Sequence, residues 1–407
     1  MPILSKFKST VLLLFLVFSA CKGQQKDAET TPMVETDAPE PIIVAANRTA
    51  AYLPHLQGKN VGVVANPTTV VFHKKGYTHL VDSLLTSGIQ VKKVFAPEHG
   101  FRGTADAGEH VKDGVDTQTG LPIISLYGKN RKPSGEQLSD LDIIVFDIQD
   151  VGVRFYTYIA TLQLVMEACA ENNKPIILLD RPNPNGHYVD GPTMLKEHTS
   201  YLGMNPIPLV YGMTMGEYAQ MLNGEGWLES GNKADLTVIP LENYTHQSEY
   251  QLPIRPSPNL PNDTSINLYP SLGLFEGTNV NAGRGTEFQF QRYGASFIDS
   301  TKYDFSYVPE PNFGSKYPKE EGKTCYGRDL SHVPRMSEVS MEWIIDAYKN
   351  TLDKSKFFLT DGFTKHAGTP LLQQQIEQGM TNDEIKESWQ DDLARFKKIR
   401  EKYLIYD

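Results

Sequence analysis

Cysteine is scarce. Cys21, Cys169 and Cys325 are the only three in 407 residues, too few for a disulfide framework or a cysteine-rich zinc site. Cys169 falls in a helical pattern over residues 162–170 and reads as core, with a bridge to Cys325 as the lesser reading. After residue 20 no apolar run is long enough to cross a bilayer. A basic excess is missing too, since 39 Lys and Arg stand against 49 Asp and Glu, a net charge of −10. That excludes the footprint a nucleic-acid binder needs and a polybasic patch for acidic lipid. There is no internal repeat and no H-E-x-x-H. The first strand runs into Asn66-Pro67-Thr68 rather than G-x-G-x-x-G, and Gly283-Arg284-Gly285-Thr286 lacks the spacing of a P-loop.

What is present begins with a leader. Lys6 and Lys8 precede an unbroken apolar run over residues 11–18, then Ser19, Ala20 and Cys21. The order resembles the lipobox of bacterial lipoproteins, with Phe18 where Leu is usual, and it implies a signal peptide over 1–20 and lipidation at Cys21. Residues 21–41 are polar, rich in Thr, Glu, Asp and Pro, and read as a disordered tether. The expected location is the cell envelope, anchored through lipid to the outer or inner membrane. No acidic run follows Cys21, which favours the periplasmic face.

From residue 61 strands and helices alternate. Apolar β-rich runs occupy 61–65, 91–96, 122–127, 141–148 and 175–179, with helical spacing over 78–87 and 158–172. This pattern predicts an α/β domain over 42–240, a parallel sheet with helices on both faces. Residues 253–262 are proline-rich and read as a rigid crossing segment. Residues 241–407 read as a smaller α+β domain, with helices over 337–352 and 382–403, the latter a charged closing helix with a solvated face.

Ligands of parallel sheets bind beyond the carboxyl ends of the strands. Three strand ends here carry polar chemistry. One leads to Glu98, His99 and Arg102, a second to Asp147, Gln149, Asp150 and Arg154, and a third to Asp180, Arg181 and Asn183. A single such loop is ordinary turn chemistry, but three converging on one edge indicate a site. Glu276, Asn279 and Arg284 form a further polar cluster among glycines.

Five motifs in order resemble a known family. They are Pro97-Glu98-His99-Gly100, Phe146-Asp147-Ile148-Gln149-Asp150-Val151-Gly152 with Arg154 to Tyr158, Leu179-Asp180-Arg181-Pro182-Asn183-Pro184, Arg255-Pro256-Ser257-Pro258-Asn259-Leu260-Pro261, and Glu276-Gly277-Thr278-Asn279 with Gly283-Arg284-Gly285-Thr286. The chain from about residue 61 to 406 is similar to the NamZ-type exo-β-N-acetylmuramidases, long catalogued as a domain of unknown function. The resemblance implies a Rossmann-like catalytic domain, a smaller auxiliary domain and an active site in the cleft between them. It also implies release of N-acetylmuramic acid (MurNAc) from non-reducing ends of peptidoglycan, with no cofactor, and Glu98 as the leading catalytic residue.

Glycosidic cleavage needs an acid for the leaving oxygen and usually a second carboxylate. Glu98 suits the first role, with His99 orienting it or touching the sugar. Asp147, Asp150, Asp180 and Glu276 all compete for the second, and retention, inversion and elimination stay open. MurNAc carries a lactyl carboxylate, which a guanidinium binds well, so one or two of Arg102, Arg154, Arg181 and Arg284 should face it. Tyr156 and Tyr158 offer a stacking wall, with a plainer reading as core aromatics. The competing readings are a metal-dependent hydrolase built on Glu98, His99, Asp147, Asp150 and Asp180, and a wall-binding lipoprotein without catalysis.

Overall fold

The structure is a computed structural model that describes residues 40–102 and 113–407. The leader, Cys21 and the tether to residue 39 lie outside the described residues. The strands are β1 (Asn60–Ala65), β2 (Val70–Phe72), β3 (Tyr77–His79), β4 (Gln90–Ala96), β5 (Gly114–Val115), β6 (Pro122–Ser125), β7 (Ile143–Asp147), β8 (Ile176–Leu179), β9 (Leu236–Ile239), β10 (Arg292–Ala295), β11 (Phe305–Tyr307) and β12 (Cys325–Asp329).

Side-chain alternation explains the main sheet. Val61, Val63, Ile143, Val145, Ile177 and Leu179 point to one apolar cluster, with Tyr52, Leu56, Leu80 and Leu84 from helices Thr49–Leu56 and Leu80–Thr86. Val64, Ile144, Phe146, Ile176 and Leu178 point to the other, where Leu162, Val165 and Met166 of helix Tyr158–Glu171 cover them. A strand apolar on both faces needs helices on both, and the result is the predicted α/β architecture. The sheet order is β5-β6-β4-β1-β7-β8-β9. All pairs are parallel except β5 with β6. Taken in chain order, the six parallel strands read 3-2-1-4-5-6, the doubly wound order whose reversal lies between β1 and β7. The loops after β1 and β7 therefore flank that reversal, and the loop after β4 lies one strand further out.

Pro41–Asp407 form one unit. The C-terminal part adds a three-stranded antiparallel sheet, β10-β12-β11. Its apolar residues, among them Phe275, Tyr293 and Phe363, join the same cluster as helix Tyr158–Glu171. Cys169 and Cys325 are both buried and are not joined in a disulfide.

Two predicted helices are corrected. The first spans Glu342–Lys349 only, because the amides of Val339 and Ser340 are taken by the side chains of Asp190 and Ser271. The closing helix is broken into Asn382–Glu387 and Gln390–Arg400. At the break Trp389 is buried, and its indole N–H donates to Asp190 at 3.0 Å. Ile385, Leu393 and Phe396 are buried beside it, so this segment carries a core stripe as well as a solvated face.

Candidate active site

Residues 97–100 form a turn directly after β4, closed by the Gly100 amide donating to the Pro97 carbonyl at 3.0 Å. His99 occupies its third position with φ 70°, a conformation glycine adopts freely and a histidine adopts at a cost of order 1 kcal/mol. A hydrogen bond between His99 Nε2 and Ser257 Oγ, 3.2 Å long, holds it there. Strain of this kind persists where surrounding contacts over-determine it, and active sites are the usual place.

The turn aims Glu98 at the junction of two cavities of about 260 and 350 Å³, which share Glu98, Thr157 and Leu202 as lining residues. The Thr157 hydroxyl donates to Glu98 Oε2 at 3.2 Å, and the Tyr158 hydroxyl donates to the Glu98 carbonyl at 3.3 Å. Tyr127 approaches the same carboxylate, and burial together with Glu98 holds its phenol above the ordinary range.

The first cavity has an aromatic wall of Phe155, Tyr156, Tyr269 and Phe290. Its rings meet edge to face, Phe155–Tyr269 at 5.1 Å and Tyr269–Phe290 at 4.7 Å. Tyr156 is fixed by a 2.6 Å hydrogen bond to the Pro256 carbonyl. The polar lining includes His99, Ser257, Asn259, Glu276, Arg284 and His366. Glu276 and Arg284 pair at 3.0 Å. Burial alone would raise the Glu276 carboxyl, but Arg284, Lys319 and His366 outweigh it and hold the group below the usual carboxylate range. The second cavity is lined by Tyr127, Arg131, Ser200, Tyr201 and Lys365 besides the shared residues.

Comparison with known proteins then places the chain. The family model described as exo-β-N-acetylmuramidase NamZ, N-terminal, matches residues 61–264, and the corresponding C-terminal model matches 267–406. The chain is 39% identical over 377 residues to the peptidoglycan β-N-acetylmuramidase NamZ of Bacillus subtilis (strain 168), covering 87% of this chain and 89% of that protein. The chain belongs to the NamZ exo-β-N-acetylmuramidase family. Two solved structures of DUF1343 family proteins from Bacteroides fragilis NCTC 9343 share the fold. One is 44% identical with a TM-score of 0.83, the other 28% identical with a TM-score of 0.75. Each comparison covers 90% of this chain and 99% of the other.

The NamZ motifs divide in the structure between the cavity and its foundations. Glu98, His99, Tyr156, Glu276 and Arg284 line the first cavity. The other predicted site residues do not line either one. Asp147 is fully buried and held by Arg181, Nε to Oδ1 at 2.5 Å and Nη2 to Oδ2 at 2.8 Å. Gln149 donates to the carbonyls of Asp150 and Pro182. Asp180 accepts from Thr214, the Gly216 amide and Tyr406. Asn183 shapes its own loop through Met213 and Asn185. Tyr158 is 2% exposed behind Tyr156. Arg102 is paired with Asp82 at 3.0 Å and Asp116 at 2.9 Å, and Asn279 donates to the Lys356 carbonyl.

Arg154 is the least expected of these. It is completely buried, and its Nη atoms donate to the carbonyls of Pro192, Ile207 and His366 at 2.6, 2.9 and 2.9 Å. Burial lowers it to about 9. Gly368, at φ 82°, leaves room for it, since a Cβ there would stand 2.8 Å from Nη2. Arg154 thus ties the loop after β7 to helix Thr360–Ala367, which brings Lys365 and His366 to the cleft. The donors that a metal reading requires are also committed, Asp147 to Arg181 and Asp150 to Tyr211 and the Gly152 amide.

Burial pushes the Asp150 carboxyl up to about 7, with the bonds from Tyr211, Gly152 and Val151 offsetting only part of it. An unfolded aspartate loses its proton near 3.8. Between those values the folded state binds more protons, so stability falls as pH rises through the window. Asp150→Asn should remove that slope, of order 1 kcal/mol per pH unit. Urea unfolding of both proteins across the window measures it, and parallel stability curves would contradict the assignment.

Proposed function

We propose that the chain is an exo-acting glycosidase that releases MurNAc from non-reducing ends of peptidoglycan or its fragments, in cell-wall turnover and salvage. One observation carries this reading. Glu98 stands on a strained turn at the carboxyl edge of the sheet, where two cavities meet. A glycosidic oxygen bridging two sugars fits that junction, with one ring on each side. Glu98 gives its proton to the leaving oxygen as the bond to the anomeric carbon breaks, and a water molecule adds to that carbon and loses a proton, giving free MurNAc. Glu276, kept ionised by Arg284, lines the first cavity, which takes the leaving sugar. The aromatic wall excludes water and gives the ring an apolar surface. His99 positions the Glu98 turn through Ser257.

Glu98→Gln keeps the shape and removes the proton. Release of MurNAc from MurNAc-GlcNAc should fall by roughly 10²–10⁴-fold, with the thermal midpoint within a few degrees of wild type. A variant that retains the wild-type rate would remove Glu98 from the acid role.

We further infer that the chain is a periplasm-facing lipoprotein, processed after Ala20 and lipidated on Cys21, with residues 21–41 as its tether. The support is the leader, the small residues before Cys21 and the polar composition that follows. Cys21→Ser should move the protein from the membrane fraction to the soluble one, and protease added to intact cells should spare it. Membrane retention of the variant or cleavage on intact cells would contradict this.

A further inference from the structure

The NamZ reading requires a group that reads the lactyl carboxylate, because that carboxylate is what separates MurNAc from N-acetylglucosamine. Three of the four arginines that sequence alone offers are committed elsewhere. Arg102 and Arg181 hold carboxylates, and Arg154 holds three carbonyls. The fourth, Arg284, already faces Glu276 at 3.0 Å inside the first cavity, so that charge is matched.

The second cavity differs in its charge. Arg131 and Lys365 both line it, and Glu98 is its single carboxylate among the described residues. Neither cation forms an ion pair with a described residue. They come from distant parts of the chain, Arg131 from the loop after β6 and Lys365 from helix Thr360–Ala367. Both supports are fixed. The Arg131 guanidinium lies 4.2 Å over the Tyr201 ring, and the Tyr201 hydroxyl is hydrogen-bonded to Thr161 at 2.9 Å. A guanidinium stacked on a ring keeps edge N–H groups for a planar anion. The residue after Lys365 has its carbonyl held by Arg154 and its ring Nδ1 2.8 Å from the Gly362 carbonyl. In a chain of net charge −10, two cations face Glu98 alone among the described residues of this cavity, which leaves one positive charge for an anion from outside.

We propose that Arg131 and Lys365 together bind the lactyl carboxylate of MurNAc and set the specificity of the site. The proposal rests on the glycosidase reading above. It places the carboxylate in the second cavity, on the far side of Glu98 from the Glu276–Arg284 pair. Arg131 takes it through the guanidinium edge and Lys365 as a point charge.

Calorimetric binding of free MurNAc and of its neutral lactyl carboxamide tests this without relying on turnover. Wild type should prefer the acid over the amide by at least ten-fold. Arg131→Gln and Lys365→Gln should each weaken MurNAc binding by about ten-fold, the loss of one charge-assisted hydrogen bond. The double variant should bring the acid-to-amide ratio close to one, and Arg131→Lys should recover part of it. Wild-type indifference between acid and amide, or variants that keep the preference, would overturn the proposal. So would loss of the preference in Arg284→Gln alone. Release of MurNAc from a chromogenic MurNAc glycoside, run in parallel, reports on the glycosidase reading separately. A protein that discriminates acid from amide through Arg131 and Lys365 yet cleaves nothing would uphold this inference and reject that one.

Discussion

A buried ion pair, Asp147 with Arg181, ties together the edge of the sheet on which the site is built. Two charges at 0 and 3% exposure are costly to desolvate, and such a pair need not add net stability. Its value here is geometric. The guanidinium grips both carboxylate oxygens and also the Val70 carbonyl at 2.9 Å. The Thr69 hydroxyl donates to the Asp147 carbonyl. The end of β7, the segment after β8 and the chain following β1 are joined in one network. The crevice at the strand-order reversal is filled by this network, and the loops carrying Glu98 and Thr157 stand beside a rigid floor.

The C-terminal part supplies the walls. Tyr269, Glu276, Arg284 and Phe290 close the first cavity, while from helix Thr360–Ala367 His366 reaches the first cavity and Lys365 the second. Arg154 makes that helix part of the same frame. It is a buried cation whose Nη atoms are bound by carbonyls rather than by a carboxylate, so it fixes positions by the directions of those N–H groups. A lysine would not reproduce that three-way geometry. The two halves of the chain then act as one body around the reacting atoms, which suits a reaction that depends on placing an acid within hydrogen-bond reach of one oxygen.

Much of this was legible in the sequence, for identifiable reasons. The strands over 91–96 and 141–148 announce themselves by apolar runs that have to be covered on both faces, and Pro97 and Gly100 mark Glu98 as sitting on a tight turn. The carboxylates and arginines at three strand ends stand at the same edge of the sheet as the Glu98 turn. Most of them serve one another there, because the loops that follow cover them, and a sequence does not show which way a strand-end side chain turns. Thr157 lies within the stretch Arg154 to Tyr158, but a threonine before a helix reads first as a cap. Tyr269 and Phe290 look like core in one dimension. Arg131, Tyr201 and Lys365 carry no local signal at all, since only the fold brings residues so far apart to one cavity. The helix Met215–Gly224 did have a readable start, a capping box from Thr214 to Glu217. The break at Trp389 did not, since its cause is a hydrogen bond to Asp190, far away in the chain.

The central claim is that the glycosidic oxygen sits at Glu98 with a sugar on either side. The most direct measurement is a crystal structure of Glu98→Gln with MurNAc-GlcNAc bound. The account predicts the bridging oxygen within hydrogen-bond distance of the residue 98 side chain and the lactyl carboxylate against Arg131 and Lys365. It also predicts both rings in the cavities that share Thr157 and Leu202. A disaccharide bound with its bridging oxygen away from residue 98, or seated in the separate groove beside Glu249 and Arg335, would contradict it.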